Sequence, residues 1–258
     1  MPAKLRWIAA ASGLFIALLA YAGVAQADPN ALWNIVHGQC VPDWQQRRVL
    51  RPPCVAVDLK RGVAGGFAVV KDQRGQTQFL LIPTKRITGI ESGALLAKHA
   101  ANYFVEAWQE RHLVEKAIRH AMPRDTLSLA VNSELSRSQN QLHIHIDCIR
   151  ADVRDALDDE AAKIGRRWAP LDIWLFGHHY SAMQVAGTTL AGKNPFKLLA
   201  RGVPGAASDM GHYTLIVVGR MLADHRPGFV VLADYADPAH GDNAGGEELQ
   251  DHDCALGR

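Results

Sequence analysis

An excess of charge of either sign is almost missing from this chain. Its 28 Lys and Arg face 26 Asp and Glu, leaving a net +2 with histidine neutral. That balance gives no electrostatic reason to expect a nucleic-acid partner. Cysteine is scarce too. There are four, Cys40, Cys54, Cys148 and Cys254, and no two have the Cys-x-x-Cys spacing of zinc or redox sites. Internal repeats and low-complexity tracts are absent, so a solenoid is not expected. The hydrophobic fraction, 48%, is ordinary for a globular chain. Of the 258 residues, roughly 230 remain for folded protein once the N-terminus is set aside, enough for one large domain or two small ones sharing a sheet.

That N-terminus reads as a targeting segment. Lys4 and Arg6 precede an uncharged stretch over residues 7–27, which contains Leu14, Phe15, Ile16, Leu18 and Leu19 and ends in Ala25-Gln26-Ala27. The ending is the small-x-small pattern of signal-peptidase sites. The length also approaches the ~20 apolar residues that cross a bilayer. Two readings therefore stand for residues 1–27: a cleaved secretory signal or an uncleaved membrane anchor. A buried core helix fits less well, because the stretch has no polar face. Both readings export residues 28–258, with the charged end left in the cytoplasm. Four cysteines in an exported chain suggest two disulfides. Three connectivities are possible. The favoured one pairs Cys40 with Cys54 across a short loop and Cys148 with Cys254 to tie the tail to the core. Four free thiols are the alternative if the chain is not exported.

The residue pattern predicts an α+β fold. A short helix and loop over residues 30–54 precede strands at 67–71 and 78–82, joined by the turn Asp72-Gln73-Arg74-Gly75-Gln76. Leu95, Leu96, Ala100, Phe104, Ala107, Trp108 and Val114 recur near a 3.6 period and predict one long helix over 92–120. Further strands are expected at 126–132 and 141–149, a charged helix at 152–166, and a hairpin of 214–220 with 229–233. Within the rest of the last third, Trp174, Leu175 and Phe176, or Phe196, Leu198 and Leu199, could face lipid, though ordinary core is the simpler reading. His178, His179 and His212 read as structural histidines.

The chemistry concentrates in residues 132–148. Along a strand, Leu142, Ile144, Ile146 and Cys148 share one face, and Gln141, His143, His145 and Asp147 the other. Two alternate histidines stand about 7 Å apart along such a strand, a spacing that lets both meet one phosphate. Neutral imidazole is a competent nucleophile near pH 7. The preceding loop offers Ser138, Gln139, Asn140 and backbone N–H groups as donors to phosphate oxygens. A metal site at His143 and His145, or two solvent-facing residues, are the competing readings.

This stretch resembles the histidine-triad (HIT) superfamily of nucleotide hydrolases and transferases, in which three histidines alternate along a strand behind an Asn and a Ser or Thr. Gln141, His143 and His145 fall on the three triad positions, Ser138 on the phosphate-contacting position and Asn132 on the upstream Asn. Residues 79–87 are similar to a second block ending in Ile-Pro. Within that superfamily the chain resembles the bacterial CDP-diacylglycerol pyrophosphatases most. The likeness lies in Cys54-Val55-Ala56-Val57-Asp58, Leu81-Ile82-Pro83-Thr84, Gln139-Asn140, the stretch 148–154 and Gln250-Asp251-His252-Asp253-Cys254. It runs from about residue 30 to the C-terminus, with its specific motifs between 54 and 154.

The resemblance implies a HIT-like antiparallel sheet with a long packed helix and a strand-containing C-terminal extension. It implies hydrolysis of CDP-diacylglycerol to CMP and phosphatidate through a nucleotidyl-histidine, without cofactor or metal. His143 would be the nucleophile, with His145 touching phosphate and assisting proton transfer. Gln141 would position substrate without acid–base chemistry, and Asn132, Ser138, Gln139 and Asn140 would bind it. A rival register makes His145 the nucleophile and Asp147 the third member. The protein would sit at the bacterial inner membrane through its N-terminal segment, with the catalytic domain in the periplasm, or be free there if the leader is cleaved. A HIT-type enzyme acting on soluble nucleotides and a non-enzymatic exported metal-binding protein are the alternatives.

Overall fold

Alternating apolar residues build one antiparallel sheet of ten strands. The structure, a computed structural model, describes residues 28–257. The leader assigned to 1–27 lies outside the described residues. Among the described residues no helix is long and apolar enough to cross a membrane. In chain order the elements are α1 (Ala31–Ile35), β1 (Cys54–Asp58), α2 (Gly62–Gly65), β2 (Phe67–Lys71), β3 (Phe79–Pro83), α3 (Tyr103–Glu110), α4 (His112–Ile118), β4 (Leu127–Val131), β5 (Ile144–Ile149), α5 (Ala151–Asp159), β6 (Ala169–Pro170), β7 (Ser181–Ala186), α6 (Pro195–Gly202), β8 (Tyr213–Met221), β9 (Pro227–Tyr235) and β10 (Gln250–Asp251). After α1 the chain continues in π-helical turns at Val36–Cys40 and Asp43–Arg47.

The strands lie in the order β1-β2-β3-β5-β4-β8-β9-β7-β6, and β10 pairs with β5. Because β4 fills one edge of β5, β10 follows β3 along the other edge, opposite Cys148 and Ile149. The C-terminal strands thus extend the first sheet. The central ladder aligns Leu80, His145, Ala130, Ile216 and Leu232 in one row across five strands.

Each strand sends alternate side chains to opposite faces. On the first face Leu129, Ile144, Ile146, Leu215 and Val217 form the main core, covered by Phe104 and Trp108 of α3 and Phe196 and Leu199 of α6. Burial of one such aromatic stabilises the fold by about 2–3 kcal/mol. Gly219 on β8 makes room for Trp108: a Cβ there would sit 2.4 Å from the indole ring. The second face is covered at its two ends. At one end Val36, Cys40 and Val41 pack on Val70, Leu80 and Ile82. At the other, Val153 and Leu157 of α5, with Leu171 and Tyr180, pack on Ile216, Val218 and Leu232. Between these two small cores runs the polar face of β5.

The disulfides are Cys40–Cys54, with Cα atoms 5.6 Å apart, and Cys148–Cys254, at 5.3 Å. The first fastens the N-terminal helical segment to β1. The second fastens the tail to the central strand. Two disulfides and no free cysteine among the described residues are the pattern of a chain folded outside a reducing compartment.

The expected helix over 92–120 is broken. A 3₁₀ turn at Gly93–Leu95 and a loop precede α3, and α4 follows it. Asn102 stops helix growth from the N-terminal side. Its backbone is non-helical, and its side-chain amide donates to the carbonyls of Leu190 and Lys193. The period still marked the buried face, since Leu95, Phe104, Ala107, Trp108 and Val114 are all core. The helix expected at 152–166 ends at Asp159, because Ile164 turns back into the second-face core.

Candidate active site

The strand expected over 141–149 begins at Ile144, because the chain bends at Gln141, whose side chain is held by the 83–87 loop; the expected alternation holds from Leu142 onward. Leu142, Ile144, Ile146 and Cys148 enter the main core. His143 and His145 emerge on the second face with ring centroids 4.9 Å apart. Both line a cavity of 440 Å³ between the N-terminal helical segment and the 72–74 turn, a size ordinary for small-ligand sites. Asn132, Ser138 and Gln139 line it as well.

Each ring is held by its Nδ1. His143 Nδ1 lies 2.7 Å from the backbone carbonyl of Gln141. A carbonyl only accepts, so Nδ1 carries the proton and Nε2 keeps its lone pair. No described residue hydrogen-bonds that Nε2. His145 Nδ1 is 2.8 Å from Gln78 Nε2 and 3.1 Å from Glu247 Oε2. It accepts from the Gln78 amide, and Glu247 stands close to it as a charge without an aligned hydrogen bond. Its Nε2 is buried with no hydrogen-bond partner.

Burial dominates the electrostatics. It pushes the His143 imidazole below the usual histidine range, against the Gln141 carbonyl and Glu247, which favour protonation. It pushes His145 down to about 3, opposed chiefly by Glu247. Both rings are therefore neutral near pH 7 in the free protein. Burial alone would raise Glu247, but His145, Arg74 and His252 hold it below the usual carboxylate range. Behind His145, burial raises Asp147 despite hydrogen bonds from His252, Thr77 and the Cys148 N–H. His252 Nδ1 sits 2.8 Å from Asp147 Oδ2, and that bond raises His252.

The cavity has two kinds of wall. Lys71 and Arg74 bring positive charge, Asp72 and Glu247 bring negative charge, and Leu32, Ile35, Pro53, Val70 and Leu80 supply apolar surface. Lys71 Nζ also donates to the carbonyls of Asp72 and Gly75, which shapes the 72–75 turn. The profile of the family described as CDP-diacylglycerol pyrophosphatase matches residues 27–258. A Yersinia pestis protein named CDP-diacylglycerol pyrophosphatase is 38% identical over 260 aligned positions, covering 99% of this chain and 97% of the relative. The chain belongs to the CDP-diacylglycerol pyrophosphatase family.

In this family member two residues expected at the site do not line the cavity. The Gln141 side chain is buried and turned into the scaffold. Its amide donates to the carbonyls of Pro83 and Lys85 and its oxygen accepts from the Ile87 N–H. Only its backbone serves His143. Asn140 is exposed, and its N–H is bonded to the Pro29 carbonyl. Gln139 has a second duty, accepting from the Leu32 N–H and donating to the Asp28 carbonyl. Asn132 accepts from the Glu247 N–H at 3.2 Å.

Five contributors were not singled out from sequence: Lys71, Arg74, Gln78, Glu247 and His252. Lys71 and Arg74 read as strand end and turn, and Gln78 as the start of a strand. Glu247 and His252 arrive from the tail, more than a hundred residues away, so no local spacing marks them. Of the other histidines, His212 pairs with Asp209 at 2.5 Å and His179 packs edge-on against Trp174. Trp174 and Phe176 face solvent, whereas Leu175, Phe196 and Leu199 are buried.

Proposed function

We propose that this protein hydrolyses the pyrophosphate bond of CDP-diacylglycerol, releasing CMP and phosphatidate, with His143 as nucleophile. One observation carries the assignment of the nucleophile. The Gln141 carbonyl holds the His143 Nδ1 proton, so the Nε2 lone pair is free in the cavity. Attack by Nε2 on the phosphorus next to cytidine forms an N–P bond and breaks the P–O bond to phosphatidate, which leaves with that oxygen. Positive charge that appears on the ring strengthens the Nδ1–H bond to Gln141. Water then attacks the same phosphorus, the N–P bond breaks, CMP departs, and the water proton passes to solvent. Splitting one displacement into two is the usual gain of covalent catalysis.

His145 is the natural partner for phosphate. An anion beside its buried Nε2 offsets the desolvation that keeps the ring neutral. The ring then donates from Nε2 to phosphate and from Nδ1 to Glu247. Arg74 and the Ser138 hydroxyl answer the charge spread over the phosphoryl oxygens. The rival register is less well supported, since Asp147 is committed to His252 and does not line the cavity.

The apolar wall favours a lipid substrate. Ala31, Leu32 and Ile35 of that wall follow directly on residues 1–27. A leader retained as an anchor would hold this wall at the membrane and raise the local concentration of a diacyl substrate. We assign residues 28–258 to one catalytic domain, with its core motifs between 54 and 154, on the periplasmic side of the inner membrane. A direct test compares CDP-diacylglycerol with water-soluble CDP-alcohols and dinucleotides. Preference for the lipid, with CMP and phosphatidate as products, is expected. Equal or better turnover of the soluble compounds would reject the lipid assignment.

A further inference from the structure

A second polar cluster on the same face of the sheet has no part in the hydrolysis above. His178 Nδ1, Asp234 Oδ2 and Asp242 Oδ1 lie within 4.8 Å of one another. From His178 Nδ1 the distances are 3.8 Å to Asp234 Oδ2, 3.3 Å to Asp242 Oδ1 and 2.9 Å to Glu248 Oε1. The Tyr180 hydroxyl donates to Glu248 Oε1 at 2.8 Å. Asp234 is 4% exposed and Asp242 8%.

The cluster lacks what three neighbouring carboxylates need. Among the described residues no Lys or Arg pairs with Asp234, Asp242 or Glu248. Asp234 Oδ1 accepts from the Tyr235 N–H, but Oδ2 is buried with no hydrogen-bond partner. His178 Nδ1 is equally without one, because its close approach to Glu248 is not aligned as a hydrogen bond. Buried carboxylates held together in this way repel unless one takes up a proton or a cation sits among them.

We propose that His178, Asp234 and Asp242 bind a divalent transition-metal ion, Zn²⁺ or Mn²⁺, with Glu248 beside the site as a further negative charge. One imidazole nitrogen with carboxylate oxygens is a donor set for these ions. An all-oxygen shell would suit Mg²⁺ or Ca²⁺ better. The spacing agrees. Ligand atoms at about 2.1 Å from a tetrahedral ion lie about 3.4 Å apart, and the separations from His178 Nδ1 to Asp234 and Asp242, 3.8 and 3.3 Å, fall on both sides of that value.

The ion's role is positional. Asp234 lies two residues beyond Leu232, which shares a row with His145 three strands away, a span of roughly 14 Å at the usual strand spacing. The turn Gly246–Leu249 crosses β8 between the two sites. Gly246 lies so close to the sheet that a Cβ would meet Thr214 Oγ1 at 2.4 Å. From this turn Glu247 reaches His145 and Glu248 reaches His178. A cation beside Glu248 attracts that carboxylate, and so steadies the turn that carries Glu247 beneath His145.

The test uses the full chain stripped with a chelator, dialysed, and titrated with Zn²⁺ or Mn²⁺ alone. Bound metal is measured by mass spectrometry and Tm is followed in parallel. The expected result is one equivalent per chain and a raised Tm in wild type and in His143→Ala. Binding should be at least about tenfold weaker, with no Tm rise, in His178→Ala and Asp234→Asn. Wild-type protein that retains neither ion at stoichiometry would overturn the proposal, whether or not the variants fold. So would metal lost in His143→Ala but kept in Asp234→Asn, which would place the ion in the catalytic cavity.

Discussion

Replacing Glu247 with Gln removes one charge and keeps the side chain's size. The Glu247 carboxylate lies 3.1 Å from Nδ1 of His145, whose side chain is 5% exposed. A close charged contact of this kind, made once the imidazole is protonated beside substrate, contributes about 1.5–3 kcal/mol. Glu247 is itself 24% exposed and has Arg74 at 3.6 Å, so screening reduces the loss to about 1–2 kcal/mol. Every 1.4 kcal/mol is about tenfold in rate, and kcat should therefore fall about 5- to 30-fold. The loss should deepen toward alkaline pH. Glu247 favours the protonated imidazole, so its removal makes His145 harder to protonate when substrate is bound. Steady-state hydrolysis of CDP-diacylglycerol in mixed micelles from pH 5 to 8.5 measures this, with circular dichroism to verify folding. A folded variant with wild-type kcat over the whole range would refute the role given to the Glu247–His145 pair.

Three further outcomes follow from the same geometry. Arg74→Met should lower kcat/KM by up to about fivefold, since a contact from a side chain 73% exposed is screened to at most about 1 kcal/mol; an unchanged value would remove Arg74 from substrate binding. Both cavity histidines have folded pKa values pushed below the unfolded value near 6.5, His145 to about 3. In that window the unfolded chain binds more protons, so their contribution to stability rises with pH and is lost on acidification. Urea unfolding between pH 4 and 7 should accordingly show a shallower pH dependence in His145→Gln than in wild type, and identical slopes would contradict the burial argument. Converting Cys148 and Cys254 to Ser opens a loop of sequence separation 106 and should cost about 2–4 kcal/mol. The Cys40–Cys54 pair, of separation 14, should cost less on the chain-entropy view, and the reverse order would count against it.

Patterns that repeat within a few residues were legible in the sequence. The alternation through residues 142–148 placed His143 and His145 on one face and the aliphatic residues on the other, and the ladder preserves that division. The hairpin β2–β3, strand β4 and the pair β8–β9 were visible for the same reason. The break before α3 was not, because it depends on Asn102 reaching the carbonyls of Leu190 and Lys193, a tertiary contact that overrides helical periodicity. Strand β7 (Ser181–Ala186) and helix α6 were not read either, since Ser, Gln and Ala dilute the alternation in one and only a short apolar stripe marks the other. At the site, the triad-like positions could be named but not their orientation. Gln141 occupies the first position in sequence, yet its amide serves the 83–87 loop while its carbonyl serves His143. Glu247 and His252 come from the far end of the chain, where proximity is a property of the fold alone.

The most direct measurement is to quench the enzyme in turnover with CDP-diacylglycerol labelled in the cytidine moiety and map the modified residue by mass spectrometry. A cytidylyl adduct on His143, absent from a folded His143→Ala variant that has lost about 10³-fold or more in kcat, is the expected result. An adduct on His145, or a His143→Ala variant that hydrolyses substrate at the wild-type rate, would contradict the assignment.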